Sequence, residues 1–263
     1  MKIQGKRIIV TGAGGGIGRE LAAEIVRRGG EVIAVDNDKD NLEKTVALSP
    51  EGKIKPVILD ITDTEKVFEF AKNPEYVTVD SIINNAGIIQ PFVPIADLKN
   101  QDINRVMAVN FYGTLNLVRA FLPVFLQKPE AHIVNLSSMG GFLPVPGQGI
   151  YGAAKAAVKL MTEALHGELR HTGVKVTVVF PGAVRTNIKA NSGLKEESKE
   201  KDAKQAMKIL SPEKAARKIL DGMEKNRARI ILGKDARLMD FLYRLSPNFA
   251  SGLIAAKMAD KLN

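Results

Sequence analysis

The chain alternates short apolar runs rich in β-branched residues with longer segments that repeat apolar residues at helical spacing. The apolar runs cover 7–12, 31–36, 55–61, 79–87, 131–138, 174–182 and 228–233. Strands connected by long helices pair in parallel, with the helices on both faces of the sheet. The alternation therefore predicts a doubly wound parallel α/β sheet of about seven strands.

No internal repeat or Pro- or Gly/Ser-rich linker divides the 263 residues, so we expect a single domain over 1–263. The longest helical pattern, 99–126, is expected to be interrupted or bent before Pro123. Within the domain, the highly charged stretch at 187–210 is expected to form a variable substrate loop or lid. Residues 235–263 are expected to form an amphipathic C-terminal extension.

The composition excludes several classes of site. The chain has no Cys, which rules out disulfides, iron–sulfur clusters and Cys-ligated zinc. Its three His residues, His132, His166 and His171, lack the spacing of metal ligands, so no metal site is predicted. No uninterrupted apolar run approaches the ~20 residues of a spanning helix. The N-terminus enters a strand pattern at once, and we expect a soluble cytoplasmic protein.

The positive charge is concentrated in the last third of the sequence. Residues 1–184 carry 20 Lys and Arg against 19 Asp and Glu, whereas 185–263 carry 18 against 10. A solvated basic surface is the simplest interpretation, with anionic lipid or acidic substrates as alternatives. Aromatic residues make up 5% of the chain and form no visible stacking platform, so no nucleic-acid partner is predicted.

A glycine-rich stretch, TGAGGGIG at 11–18, lies between the first strand and the first helix. Glycines at such a turn let the backbone approach a pyrophosphate, whose charge is stabilised by the helix N-terminus. Asp36 ends the second strand, 18 residues beyond Gly18. A carboxylate there accepts hydrogen bonds from the adenosine ribose and repels a 2′-phosphate. Since neither Gly15 nor Asn37 supplies a cation, this Rossmann-like motif favours NAD over NADP.

Polar and small residues end the third and fourth strands, at Asp60-Ile61 and at Asn84-Asn85-Ala86-Gly87. Each pair or cluster alone is typical of an ordinary turn. Open α/β sheets bind ligands at the carboxyl ends of their strands, which favours a nucleotide contact at both places.

Tyr151 and Lys155 are four residues apart on a predicted helix and therefore share a face. A free phenol, with a pKa of ~10, is a weak base, and a nearby cation lowers that pKa. The pair suits proton transfer in alcohol–ketone interconversion. Ser138, 13 residues before Tyr151, is placed to hold the substrate oxygen. Asn110 is a polar residue among apolar neighbours and is predicted to relay protons through water to Lys155.

With these motifs in order, the sequence resembles the classical short-chain dehydrogenase/reductase family over about residues 5–186. The TGxxxGxG motif of the family corresponds to 11–18, its NNAG motif to 84–87 and its YxxxK motif to 151–155. The resemblance implies a catalytic tetrad of Asn110, Ser138, Tyr151 and Lys155. Lys155 is thereby expected to bind the nicotinamide ribose and to lower the pKa of Tyr151.

The resemblance also implies a set of residues that contact the dinucleotide, including those that hold the nicotinamide after the sixth strand. They are Gly12, Gly15, Gly16, Ile17, Gly18, Asp36, Asp60, Ile61, Asn85, Ala86, Gly87, Val109, Tyr151, Lys155, Pro181, Gly182, Val184 and Thr186. By the same analogy we expect a homodimer or homotetramer.

An apolar substrate pocket is predicted from residues that flank the motifs. The proposed lining is Ile89, Phe92, Phe142, Leu143 and Val145. Few charges lie nearby, which favours a secondary alcohol or ketone on a hydrophobic body such as a steroid, an acyl chain or a terpenoid. Simple core or lid packing is the alternative interpretation of the same residues.

Leu238, Phe241, Leu242 and Leu245 form an apolar helical stripe in the C-terminal extension, followed by a second apolar helix. Cations at Arg237, Arg244, Lys257 and Lys261 flank the stripe. The extension is predicted to be a lid, a subunit interface or an element that lies on an anionic membrane.

The leading functional hypothesis is an NAD(H)-dependent oxidoreductase that interconverts a secondary alcohol and a ketone. One alternative is an NADPH-dependent 3-oxoacyl-carrier-protein reductase, for which the basic last third would offer a docking surface. An alternative of another class is a non-catalytic scaffold that senses dinucleotides, although Tyr151 and Lys155 are both present.

Overall fold

A computed structural model describes residues 1–49, 51–186, 188–194 and 209–259. Seven strands form one parallel sheet in the order β3-β2-β1-β4-β5-β6-β7. They are β1 (Arg7–Thr11), β2 (Glu31–Asp36), β3 (Ile54–Ile58), β4 (Ser81–Asn84), β5 (Ala131–Leu136), β6 (Val174–Pro181) and β7 (Arg229–Leu232). The predicted doubly wound sheet is confirmed. Its strand order reverses between β1 and β4, the kind of place where such sheets bind ligands.

Helices connect the strands. They are α1 (Gly16–Arg27), α2 (Lys39–Val46), α3 (Thr64–Lys72), α4 (Asn100–Met107), α5 (Thr114–Leu126), α6 (Gly149–Glu168), α7 (Ile188–Asn191), α8 (Pro212–Glu224), α9 (Lys234–Leu245) and α10 (Pro247–Met258). Short 3-10 turns cover Ile95–Asp97 and Met139–Gly141. Residues 195–208, most of the predicted variable loop, and Lys261 lie outside the described residues.

Side chains alternate between the two faces of the sheet. On β1, Ile8 and Val10 pack with α1 and α8, whereas Ile9 packs on the opposite face with α3, α5 and α6. Both groups are fully buried, as expected for a parallel sheet with helices on each face. This packing holds the carboxyl ends of the strands in a fixed arrangement.

The long helical pattern is interrupted at a π-helical turn, Ala108–Gly113, between α4 and α5. Pro123 lies inside α5, so the irregularity does not adjoin that proline. The wider π turn directs the Asn110 amide inward, and Gly113 fits there because a Cβ would lie 2.6 Å from the Ile61 side chain.

The run Asn100–Leu126 is long and apolar enough, by length and composition alone, to cross a membrane. Half of its most apolar window is buried, and Leu117, Phe121 and Phe125 pack in the core beneath the sheet. It is therefore a core helix of this fold.

Candidate active site

The glycine-rich loop after β1 is shaped by close backbone approaches. Gly12 has a φ of +63°, and a Cβ there would lie 2.8 Å from Ala86 Cα. A Cβ on Gly18 would collide with the Gly12 carbonyl group. The residue before α1 is Gly15, whose position supplies no side-chain cap to the helix. The uncapped N–H groups and the side-chain-free loop fit a diphosphate at this helix N-terminus.

Thr11 and Asn85 fasten this loop to the end of β4. Thr11 Oγ1 accepts hydrogen bonds from Asn85 N at 3.0 Å and Ala86 N at 3.1 Å. Asn85 Nδ2 donates to Thr11 O at 2.9 Å and to Gly12 O at 3.2 Å. The preceding Asn84 instead donates to Asn135 Oδ1 inside the sheet, at 2.7 Å. Of the two asparagines, Asn85 therefore shapes the nucleotide loop and Asn84 joins β4 to β5.

Asp36 lies at the end of β2 and contacts the same loop. Its Oδ2 accepts a hydrogen bond from Gly14 N at 2.7 Å, and its Oδ1 accepts one from Asp38 N at 3.1 Å. Each carboxylate oxygen retains a further lone pair for a ligand hydroxyl. Arg19, a cation beside the loop, donates to Gly14 O, to Asn41 O at 3.1 Å and to Thr45 Oγ1 at 3.1 Å. Its guanidinium is thus engaged in holding the loop.

Asp60, Ile61 and Val109 line the sheet edge near this loop, but the first two have local partners. Asp60 Oδ1 accepts hydrogen bonds from Thr62 N at 2.9 Å and Thr62 Oγ1 at 2.8 Å. Ile61 is buried, and its carbonyl oxygen accepts a hydrogen bond from Asn116 Nδ2 at 3.2 Å. Val109 is half-buried in the π turn. A nucleotide contact by these residues stays a prediction.

Asn110, Lys155 and Gly87 meet at the end of β4. A Cβ on Gly87 would lie 2.8 Å from Asn110 Oδ1 and 3.1 Å from Lys155 Nζ. Asn110 is held by Ile88, which donates from its N–H to Asn110 Oδ1 at 3.0 Å and accepts from Nδ2 at 2.8 Å. Lys155 Nζ donates to Leu136 O at 3.0 Å. The structure thus brings together the amide and the ammonium that the sequence placed 45 residues apart.

Ser138 and Tyr151 lie next to each other, because a Cβ on Gly140 would be 3.7 Å from Ser138 Oγ and 3.5 Å from Tyr151 Cε1. Ser138 Oγ accepts a hydrogen bond from Gly140 N at 3.1 Å, and this contact turns the backbone at the end of β5. The neighbouring Ser137 has a different partner: its hydroxyl donates to Lys155 O at 2.7 Å. Ser138 therefore faces the tyrosine, whereas Ser137 anchors α6.

Burial shifts the pKa of both titratable groups on α6. Loss of hydration lowers the pKa of Lys155 to about 8. Burial raises the pKa of Tyr151, and the nearby Ser138 hydroxyl lowers it by less. The sequence predicts that Lys155 lowers the pKa of Tyr151, whereas the pKa of this phenol is raised in the structure, with burial as the main cause. The phenol is consequently protonated at neutral pH.

Comparison with known proteins identifies the family. A model of the short chain dehydrogenase family matches residues 6–197. SadH of Mycobacterium tuberculosis, which is named as an oxidoreductase, is 37% identical over an alignment of 268 residues that covers 97% of this chain and 96% of SadH. The chain belongs to the short-chain dehydrogenase/reductase family. It is an oxidoreductase with a nucleotide cofactor.

Solved structures of other short-chain dehydrogenases share this fold. One from Burkholderia phymatum, in complex with NAD, superposes with a TM-score of 0.78 at 28% identity, covering 88% of this chain and 90% of that chain. One from Burkholderia cenocepacia, in complex with NADP, gives a TM-score of 0.81 at 26% identity, covering 97% and 99%. Both nicotinamide cofactors thus occur among structures similar to this dehydrogenase.

Gln90 is a buried residue of this dehydrogenase that the sequence analysis missed. Its Oε1 accepts hydrogen bonds from Ile150 N and Tyr151 N, each at 2.9 Å. Its Nε2 donates to Gly147 O at 3.0 Å. Since a helix leaves its first N–H groups without internal partners, Gln90 caps α6 at the turn that carries the tyrosine. The nearest sequence signal is its place three residues after the NNAG motif.

Asp235, at the start of α9, is a second residue missed from sequence. Its Oδ2 accepts a hydrogen bond from Ala183 N at 2.8 Å. A Cβ on Gly182 would lie 2.5 Å from the same oxygen, so the loop after β6 is closely fitted to this carboxylate. A residue from the C-terminal extension thereby holds the loop predicted to contact the nicotinamide.

The loop that continues from Pro181 returns to the glycine-rich loop. Val184 forms a parallel bridge with Leu210. Thr186 lies over the start of α1, where a Cβ on Gly16 would be 3.2 Å from Thr186 Cβ. The residues predicted to contact the nicotinamide and the diphosphate are thus adjacent in this dehydrogenase.

The predicted substrate residues divide into two groups. Leu143 is fully buried with Met239, Ala250 and Ile254 of α9 and α10, so it packs the extension instead of lining open space. Phe142 stacks edge-on against Phe180, with ring centroids 5.5 Å apart. The other three, Ile89, Phe92 and Val145, are half-buried, and Val145 also packs beside the Leu143 cluster.

Residues 188–194, a described part of the predicted lid, are bonded to the region after β4. The Ser192 hydroxyl oxygen accepts a hydrogen bond from Ile89 N at 2.9 Å. Arg105 on α4 donates to Ser192 O at 2.6 Å. This segment therefore borders the predicted apolar pocket of the dehydrogenase.

Proposed function

We propose that this short-chain dehydrogenase interconverts a secondary alcohol and a ketone on a hydrophobic substrate with NAD(H), using Asn110, Ser138, Tyr151 and Lys155. The observation that carries the proposal is the grouping of four side chains: Ser138 and Tyr151 both lie beside Gly140, and Asn110 and Lys155, which is one helical turn beyond Tyr151, both lie beside Gly87. These groups lie at the carboxyl ends of β4 and β5, beside a loop that fits a dinucleotide.

The bound NAD supplies the hydride acceptor in oxidation, and NADH supplies the hydride donor in reduction. Ser138 and Tyr151 hold the substrate oxygen by hydrogen bonds. Oxidation requires the deprotonated form of Tyr151, whose phenolate oxygen would accept the hydroxyl proton as the carbinol carbon loses its hydride. In reduction the phenol donates that proton to the oxygen as the carbonyl carbon gains a hydride.

Lys155 and Asn110 support this proton transfer. An ammonium beside the phenol stabilises the phenolate that forms when Tyr151 donates. Asn110 holds the backbone of Ile88 through two hydrogen bonds, at 3.0 and 2.8 Å, and so fixes the wall next to Lys155. We propose that its place beside Nζ also retains a water that returns protons to the lysine.

The proposal of NAD rests on charge around the end of β2. Asp36 ends β2 with its carboxylate bonded to the glycine-rich loop, and the carboxylate of Asp38, two residues later, caps α2 through Asn41 N at 3.0 Å. Arg19 is already bonded to two carbonyl oxygens and Thr45. A 2′-phosphate would meet repulsion from the carboxylates without a free guanidinium from Arg19.

The hydrophobic substrate is supported by the half-buried apolar residues Ile89, Phe92 and Val145. A pocket of this kind binds by contact area and orients the substrate through few polar groups. Ser138 and Tyr151 would supply those groups.

The activity test uses purified protein, NAD and a panel of hydrophobic secondary alcohols, with nicotinamide absorbance as the readout. Tyr151→Phe removes only the phenol oxygen and is expected to lower kcat by roughly 10²–10⁴-fold, the usual contribution of general acid–base catalysis. Tyr76→Phe is the matched control, because it removes the same oxygen from a tyrosine that packs against Phe70 of α3. Turnover by Tyr151→Phe at the wild-type rate would overturn the proposal, as would no oxidation of any alcohol and no reduction of the matching ketones.

A further inference from the structure

The two C-terminal helices of the described chain expose a set of large apolar side chains. On α9 and α10 these are Leu238 at 57% exposed, Phe241 at 60%, Leu245 at 68%, Phe249 at 60% and Leu253 at 47%. Their spacing of three or four residues places the members on each helix along one side of it. Exposed apolar residues grouped in this way mark an interaction surface.

The opposite side of the same helices is already used for packing. Met239, Ala250 and Ile254 are buried against Leu143, and Phe142 and Val145 lie beside them. Asp235 fixes the start of α9 to the loop after β6. The extension is therefore attached to the body of the protein through its inner face. Its outer face, defined by the five exposed apolar residues, has no packing role among the described residues.

The charges around this outer face are predominantly positive. Lys234, Arg237, Arg244 and Lys257 are all exposed. The helices contain two carboxylates. Asp235 accepts a hydrogen bond from Ala183 N. Asp240, with its side chain 13% exposed, pairs with Arg229 at 2.6 Å and with Arg244 at 3.2 Å, so the charge of Arg244 is partly neutralised.

We propose that the outer face of α9 and α10 docks on an anionic phospholipid bilayer. The apolar side chains would enter the headgroup boundary, and the flanking cations would lie near lipid phosphates. Charge decides between this occupant and a second copy of the chain. In a two-fold contact through this face two cationic surfaces of like charge would meet, whereas an anionic bilayer attracts the cations. The inference does not depend on the substrate or on NAD.

The test is co-sedimentation of the full chain with phosphatidylcholine vesicles, with and without phosphatidylglycerol. The wild type is expected to pellet with the anionic vesicles and to be released by high salt. Leu245→Ser is expected to lower the partition coefficient by roughly 10-fold, because one buried leucine is lost. Arg237→Glu replaces a positive charge by a negative one, which is a change of two charges. Each charge near an anionic surface contributes about 1 kcal/mol, so the partition coefficient is expected to fall by roughly 30-fold.

Two control variants make the same chemical changes elsewhere. Leu48→Ser alters an apolar residue that is 50% exposed, and Arg170→Glu alters an exposed cation after α6. Both are expected to bind as the wild type does, and thermal melts verify folding of all four variants. Failure of the wild type to bind anionic vesicles would overturn the proposal. Equal losses of vesicle binding in Arg170→Glu and Arg237→Glu would also overturn the proposal. The proposal would also be overturned if the wild type did not bind vesicles and Leu245→Ser had a smaller oligomeric mass than the wild type. A second copy of the chain would then cover the face.

Discussion

Gln90 Oε1 lies 2.9 Å from the backbone nitrogens of both Ile150 and Tyr151, so one amide on the loop after β4 fixes the first turn of α6. Gln90 is fully buried, and its Nε2 is held by Gly147 O. The direction in which Tyr151 projects from its helix therefore depends on a residue 61 positions earlier in the chain. This makes Gln90 a positioning residue for the proposed proton donor.

Gln90→Leu is expected to lower kcat by roughly 10-fold, because a small misplacement of a catalytic group costs more than its own hydrogen bond. The KM for NAD should change much less. Gln90→Glu keeps the acceptor and should restore most of kcat. Its carboxylate next to Tyr151 should also raise the pKa of the phenol, which shifts the pH profile of oxidation to higher pH.

The measurements are steady-state kinetics and pH–rate profiles of both variants, with thermal melts to confirm folding. If Gln90 had a purely structural role, both variants would lose kcat equally and the pH profile of oxidation would not shift. That result would contradict the positioning role of Gln90.

The adjacent serines at the end of β5 are expected to separate stability from catalysis. Ser138→Ala removes the hydroxyl beside Tyr151 and should lower kcat by roughly 10²-fold with little change in Tm. Ser137→Ala removes the buried hydroxyl that donates to Lys155 O at 2.7 Å. That change should cost about 1 kcal/mol of unfolding free energy and leave kcat within a few-fold. Denaturant unfolding and steady-state kinetics on both variants test these two roles. A loss of stability in Ser138→Ala with a loss of kcat in Ser137→Ala would refute them.

Asp235→Ala is expected to weaken NADH binding by roughly 10-fold, the cost of about 1.4 kcal/mol. The variant removes the acceptor of Ala183 N and frees the loop that follows Pro181. Fluorescence titration with NADH measures the change, and Asp221→Ala on α8 serves as a control at another carboxylate. An unchanged Kd in Asp235→Ala would show that the loop does not need this hydrogen bond.

His132 is expected to make the fold sensitive to acid. It is buried in β5, where burial lowers its pKa from 6.5 to about 3. Thr177 Oγ1 donates to Arg227 O, so His132 Nε2 donates to that hydroxyl oxygen and Nδ1 is the unprotonated nitrogen. Unfolding lets the imidazole bind a proton at any pH below 6.5. The contribution of neutral His132 to the free energy of unfolding is therefore complete above pH 6.5 and decreases progressively towards pH 3.

Each pKa unit between the unfolded and folded values of His132 corresponds to about 1.4 kcal/mol in the free energy of unfolding. Urea unfolding between pH 4 and pH 7 should show a steeper loss for the wild type than for His132→Gln, which retains a donor but does not titrate. Parallel pH dependences in the two proteins would exclude His132 as the origin of the acid sensitivity.

Features set by local patterns could be predicted from sequence. The apolar runs predicted seven strands because a strand buried on both faces has to be continuously apolar. The glycines at 12 and 18 predicted the nucleotide loop, since only residues without a Cβ permit its close approaches. The i, i+4 spacing of Tyr151 and Lys155 predicted a shared helix face.

The remaining features depend on contacts between distant segments. Gln90 and Asp235 act on backbone groups 52 or more residues away, a relation that no local pattern contains. Leu143 was predicted to line the pocket but is buried under α9 and α10. Hydrophobicity alone does not distinguish a pocket wall from the support behind it. For the same reason the predicted stripe did not separate its exposed members, Leu238, Phe241 and Leu245, from Leu242, which packs against the inner cluster.

The most direct test of the proposed NAD-dependent activity is a fluorescence titration of the purified protein with NADH and NADPH in parallel. Asp36 and its neighbours predict that NADH binds more tightly by ~10-fold or more, which is over 1.4 kcal/mol. Asp36→Asn, which keeps the acceptor for Gly14 N but removes the charge, should reduce that preference, whereas Asp40→Asn should not. Tighter binding of NADPH by the wild type would contradict the proposal and favour ketone reduction on a carrier-bound acyl chain.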